Sequence, residues 1–142
     1  MRRFAVSKSQ AELAVEALRV WKADPGLMVR QLFRVEPDVW QGMALEAFAS
    51  SDPEMQRIAM LACAGPGKSA VLAWMGWNFL LCYSDGVHYP NGYAISVTGD
   101  NLRDNLWKEM ATWLNRSTPQ FKGMLPSLFG WQTERIFSKE HP

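Results

Sequence analysis

Gly67-Lys68-Ser69 stands at a seam between two apolar runs, and no other stretch constrains the fold of this chain so tightly. Ile58-Ala59-Met60-Leu61 precedes the stretch "ACAGPGKSA" (62–70), and the nearly continuous apolar segment 70–83 follows it. A short apolar run bounded by polar positions predicts a buried strand over 57–62, and the longer run predicts a helix over 69–83. A strand, a glycine loop with Lys-Ser, then a helix is the setting of the phosphate-binding pattern G-x-x-x-x-G-K-[ST]. Here Ala62 takes the place of the first glycine. The chemistry survives if Ala62 ends the strand in ordinary geometry, because Gly65 and Gly67 can still take positive φ and fold backbone N–H groups around an anion. In that arrangement Ala64, Gly65, Pro66, Gly67, Lys68, Ser69 and Ala70 line the nucleotide. Lys68 reaches the terminal phosphates and acts in catalysis, Ser69 binds Mg²⁺, and the helix dipole adds positive potential. The competing reading is a glycine-containing turn with a solvated Lys68.

Around this seam the chain reads as helices followed by strand–loop–helix–strand–helix–strand. Ser9-Gln10-Ala11-Glu12 forms a capping box, and Leu13, Ala14, Ala17, Leu18 and Trp21 make a helical stripe ended by Asp24-Pro25-Gly26. A short helix is expected around 27–34 and another from about 38 to 49, with Pro37 near its first turn. Ser84-Asp85-Gly86 closes the helix 69–83. "GYAISVT" (92–98) reads as a second strand, Asp100 as the cap of a helix 101–115, and "WQTERIF" (131–137) as a third strand. The stripe of that helix is Leu102, Leu106, Met110, Trp113 and Leu114, with Asp104 and Lys108 paired on its wet face. Residues 117–130 read as irregular or briefly helical. Strands alternating with crossover helices imply an α/β fold with a parallel sheet, of the P-loop NTPase type and incomplete, preceded by N-terminal helices. The expected division is a helical segment over 1–35 and a partial ATPase domain over 36–142.

Composition narrows the function less than the loop does. With 142 residues and a net charge of +1, the chain has no global basic field to argue for nucleic acid, so any such contact must be local. Cys63 and Cys82 sit in apolar sequence at no metal-ligand spacing, and read as reduced packing residues. His88 and His141 have no partners at catalytic spacing and read as loop residues. Arg2-Arg3 leads into no signal peptide, and segment 70–83, interrupted by Asn78, is too short to span a membrane.

A second candidate group lies in "PDVWQGMALEAF" (37–48). The Gln41 amide has a donor and an acceptor side, matching the N6 and N7 edge of adenine, while Trp40 packs inward. An amphipathic helix with Trp40 in the core and Gln41 in water accounts for the same residues.

Taken together, "PDVWQGMALEAF", "RIAMLACAGPGKSAVLAW" (57–74) and "AISVTGDNLRDNLWKEMATWL" (94–114) resemble the start of the ATPase domain of bacteriophage terminase large subunits, the DNA-packaging motors of tailed phages. The resemblance covers roughly residues 30–142. It implies that Gln41 reads the adenine of ATP, that residues 64–69 hold the triphosphate with Mg²⁺, and that Thr98 to Arg103 sit beside the site, towards DNA. It also implies double-stranded DNA, a small terminase subunit and a portal protein as partners, homo-oligomers at full length, no membrane contact and the host cytoplasm as location.

Two departures from the family pattern stand out. No arginine lies between 62 and 69, and Arg57 is too far along the chain to replace one. The acidic residue that holds Mg²⁺ and activates water is also missing, Asp100 after "AISVTG" being a poor substitute. The expectation is therefore an N-terminal fragment, inactive alone, whose hydrolase activity belongs to the full-length protein. A non-hydrolysing nucleotide-binding module and a small nucleotide kinase are the alternatives. A kinase needs arginine-rich lids, and 117–130 offers only Lys122; no N-K-x-D stretch supports guanine recognition.

Overall fold

A computed structural model describes residues 9–65, 67–85, 87–133 and 135–140. The expectations that fall on Arg2 to Val6, Pro66, Gly86, Glu134 and His141 lie outside these residues. In chain order the elements are α1 (Gln10–Ala23), α2 (Pro25–Met28), α3 (Val39–Ala49), α4 (Lys68–Cys82), α5 (Gly99–Asn101), α6 (Lys108–Arg116) and α7 (Pro119–Leu128), followed by strands β1 (Phe129–Gln132) and β2 (Arg135–Ser138). π-Helical turns continue α2 over Val29–Phe33 and α5 over Leu102–Trp107, and a 3₁₀ turn occupies Pro53–Gln56.

The helix starts follow from capping chemistry. Ser9 and Glu12 exchange the two bonds of a capping box, Glu12 Oε2 accepting from Ser9 N at 2.7 Å. Asp24 ends α1 and caps α2, accepting from Leu27 N at 2.9 Å, with Pro25 at the first helical position. Thr98, two residues before the expected Asp100, caps α5 through a bond from Asn101 N.

The core is built around α4, whose Val71, Ala73, Trp74, Trp77 and Asn78 are nearly or wholly inaccessible. Phe33, Trp74 and Trp113 meet edge to face, at centroid distances of 5.6 Å for Phe33–Trp113 and 5.0 Å for Trp74–Trp113. Trp77 Nε1 donates to the Met110 carbonyl at 3.0 Å, joining α4 to α6. Gly76 lets these helices approach, since a Cβ there would lie 3.1 Å from Met110 Cε. Asn78 Nδ2 donates to the Trp21 carbonyl at 2.8 Å, tying the end of α1 to α4. Met28, Val29, Leu32 and Phe33 belong to the same core as α3, α4 and α6, so residues on both sides of position 35 share one apolar interior.

No parallel sheet forms among the described residues. The described strands are β1 and β2, an antiparallel pair in the register Phe129↔Ser138 to Gln132↔Arg135. The alternating run 131–137 is thus divided between two short strands. Residues 57–62 and 92–98, read from sequence as strands, form none, and most of their side chains face solvent: Leu61, Tyr93, Ile95 and Val97 are almost fully exposed. A helix satisfies its own backbone, whereas a strand forms only where a second chain segment supplies the ladder, and neither run has such a neighbour among the described residues. The described residues therefore form a helical assembly with one hairpin, not a P-loop α/β architecture.

Smaller corrections have similar causes. Leu13 of the α1 stripe is exposed, and Ala17, Leu18 and Trp21 are only half-buried. Asp104 bonds Arg103 Nε at 3.1 Å, the neighbouring guanidinium being nearer than the expected Lys108. Residues 119–128 form a helix despite Pro126, with Phe121 and Leu125 packed into the core. The stripe expected for helix 101–115 holds, with Met110 and Trp113 buried and Leu102, Leu106 and Leu114 half-buried.

Candidate functional site

The turn from residue 62 into α4 brings the loop residues together. Gly65 and Gly67 have φ of +88° and +90°, a region that side chains disfavour. Gly67 is the N-cap of α4, and being glycine it supplies no side-chain cap, so the first N–H groups of the helix remain open to an outside acceptor. Lys68 Nζ folds back across the loop and donates to the carbonyls of Ala62 and Cys63, both at 2.7 Å. An ammonium group has three donors, so one remains after these two bonds. Ser69 is half-buried, with no side-chain hydrogen bond among the described residues, and Ala70 is buried in the first turn. Ala64 is exposed beside Gly65, and Pro66 lies outside the described residues.

Gln41 is also at this site, although α3 lies far away in sequence. A Cβ on Gly67 would stand 2.7 Å from Gln41 Nε2, so the amide lies directly against the loop backbone. Gln41 is buried rather than in water. Its Oε1 accepts from Asp38 N at 2.8 Å, closing the start of α3, and the residue is only 7% exposed. The sequence reading placed Gln41 by its chemistry and missed this capping role, whose signal was Asp38 three residues earlier. Trp40 is half-buried and packs against the core, as expected.

Beside the loop, α3 and residues 58–62 form an apolar groove of about 490 Å³, lined by Trp40, Met43, Ala47, Ile58, Leu61 and Ala62 among others. No sequence signal marked it, because its far wall was expected to be a buried strand.

The other candidates separate from the loop or dissolve. Asp100 is exposed and ion-paired to Arg103 at 2.8 Å. Arg103 bonds Asp104 as well, and these charges hold its guanidinium pKa above the ordinary value, hydrogen bonding to Asp104 being the largest cause. Arg57 is exposed just after the 3₁₀ turn. His88 does have a partner: Asp85 Oδ2 lies 2.8 Å from its Nδ1. The His88 backbone N–H, the His88 ring and the Val87 N–H, in that order, hold the Asp85 carboxyl down to about 2. This is a surface turn. Cys82 is buried, and burial pushes its thiol up to about 12 against the opposing charge of Lys22, as suits a packing residue. Cys63 is exposed, contrary to the packing role expected of it, because the run it ends is exposed too.

Among the described residues no group of three His, Cys, Asp or Glu side chains is placed to hold a metal ion, and no helix is long and apolar enough to cross a membrane. Compared with known proteins, the chain matches no family model, no curated protein and no solved structure.

Proposed function

We propose that residues 62–70 bind the triphosphate of ATP with Mg²⁺, and that the chain is the ATP-binding portion of a DNA-packaging motor of the terminase large-subunit kind. The observation that carries the first part is the position of Lys68 Nζ. Two loop carbonyls hold the ammonium at 2.7 Å over a turn containing two positive-φ glycines, at the uncapped start of a fifteen-residue helix. A fixed cation, an unused ammonium donor and open helix N–H groups together favour a polyanion over a neutral ligand. Ser69 Oγ is the protein oxygen available to Mg²⁺, which takes its other ligands from phosphate and water. The metal would neutralise phosphate charge.

The motor part rests on the resemblance of residues 37–48, 57–74 and 94–114 to terminases. Hydrolysis, double-stranded DNA, the small subunit, the portal, oligomerisation and the host cytoplasm belong to that proposal for the full-length protein.

Titration of the wild-type chain and Lys68→Ala with a labelled ATP analogue in Mg²⁺ tests the phosphate site. Hydrogen bonds to charged groups contribute about 1.5–3 kcal/mol, so the variant should bind roughly ten- to a hundredfold more weakly. Equal affinities would remove the assignment. Ser69→Ala should matter in Mg²⁺ and not in EDTA.

A further inference from the structure

We infer that the groove between α3 and residues 58–62 is a nucleobase seat in which the Trp40 ring stacks on the base, with little selection between adenine and guanine. This rests on the loop being a phosphate site and deepens that reading. Three observations lead to it. The groove is continuous with the loop: Ala62 lines it, and the Ala62 carbonyl is 2.7 Å from Lys68 Nζ. An apolar groove whose wall residue Ala62 is bonded through its carbonyl to the Lys68 ammonium suits a ligand with a planar ring at one end and negative charge at the other. Its volume, about 490 Å³, lies within the span of small-molecule sites, roughly 300–1,000 Å³.

The lining decides what kind of recognition is available. Its side chains are apolar throughout, the indole N–H of Trp40 being the single hydrogen-bonding group among them. Every base has a π-face, so stacking tolerates any of them, whereas discrimination needs donors and acceptors on the base edge. Gln41 does not supply these. Its side chain is held between the Asp38 N–H and the Gly67 backbone, with 7% of the residue exposed. The base contact proposed for this groove falls to Trp40, one residue before Gln41. Met43, 64% exposed, and Leu61, fully exposed, would be covered by the bound base.

Calorimetry with three probes tests the seat: MgATP, MgGTP and magnesium tripolyphosphate, which has no base. Wild type should bind ATP and GTP within about threefold of each other, and both more tightly than tripolyphosphate. Trp40→Leu should weaken both nucleotides by about five- to tenfold, the range of one base–aromatic stack, and leave tripolyphosphate unchanged. Because Trp40 also packs against the core, the double variant Met43→Gln/Leu61→Gln, altering exposed walls only, should show the same pattern with no loss of fold. The seat is overturned if the double variant leaves nucleotide affinity intact, if it weakens tripolyphosphate equally, or if wild type prefers ATP by tenfold or more. Lys68→Ala separates the two proposals: it should weaken all three probes. If it weakens none, the phosphate site fails and the seat with it; if it weakens all while the groove variants change nothing, only the seat fails.

Discussion

Residues 68–82 and residues 92–98 are both apolar runs, and they meet opposite fates. The first is α4, with Val71 and Ala73 at 0% exposure; the second leaves Ile95 at 91% and Val97 at 96%. Hydrophobicity alone does not separate them. α4 makes its backbone hydrogen bonds within itself, so most of its side chains can be buried against α1, α3 and α6. The segment 92–98 is neither helix nor strand, and its N–H and C=O groups need a neighbouring strand before burial becomes favourable. With none among the described residues, its backbone is left to water and its side chains follow. Burial in this chain is decided by backbone bonding first and by apolar content second.

The largest expected effect breaks the buried side of that contrast. Trp77 is 1% exposed, packs against Phe121 and Trp131 at 6.3 and 6.0 Å, and bonds the Met110 carbonyl. Trp77→Ala opens a cavity and removes the indole bond to that carbonyl, a loss of about 3–5 kcal/mol. Urea denaturation followed by far-UV circular dichroism measures it. A loss below about 1 kcal/mol would mean that α4 is not the centre of the fold.

A smaller effect is expected where the two kinds of segment join. Gly67 has φ of +90°, and an added Cβ would stand 2.7 Å from Gln41 Nε2. Gly67→Ala therefore combines backbone strain with displacement of the amide that closes the start of α3. A cost of about 1–3 kcal/mol is expected. Adding Gln41→Ala should recover part of it by removing the clash, leaving the strain. Non-additivity in this double-mutant cycle is the readout; strictly additive losses would mean that the loop and α3 are not in contact.

The helices were legible in the sequence because their causes are local. The Ser9–Glu12 capping box, the Asp24-Pro25 stop and the stripe through Met110 and Trp113 each act within a few residues, and each is found. The sheet was not legible for the converse reason. A run such as "GYAISVT" fits a strand, but pairing depends on another segment, and the run carries no information about whether one is present. The candidate site divides in the same way. Positive φ at Gly65 and Gly67 could be read from "ACAGPGKSA", whereas the bonds of Lys68 to the Ala62 and Cys63 carbonyls could not. The contact of Gln41 with Gly67 and the groove beside Trp40 depend on how α3 lies against the loop, which no local pattern encodes.

One substitution made twice gives the sharpest form of the comparison. Val71 and Val97 are the same residue at 0% and 96% exposure, and threonine has nearly the shape of valine with a hydroxyl in place of a methyl. In α4, Val71→Thr buries that hydroxyl. Its best relief is a bond to the carbonyl of Gly67, four residues back, which already accepts from Val71 N at 3.2 Å. A net loss of about 1–2 kcal/mol is expected. At position 97 the same hydroxyl meets water, so the change should stay within about 0.5 kcal/mol. Urea midpoints for the two variants under identical conditions measure the difference directly. Comparable losses would mean that residues 92–98 are covered in solution, and the rule that backbone bonding decides burial in this chain would fail at its plainest instance.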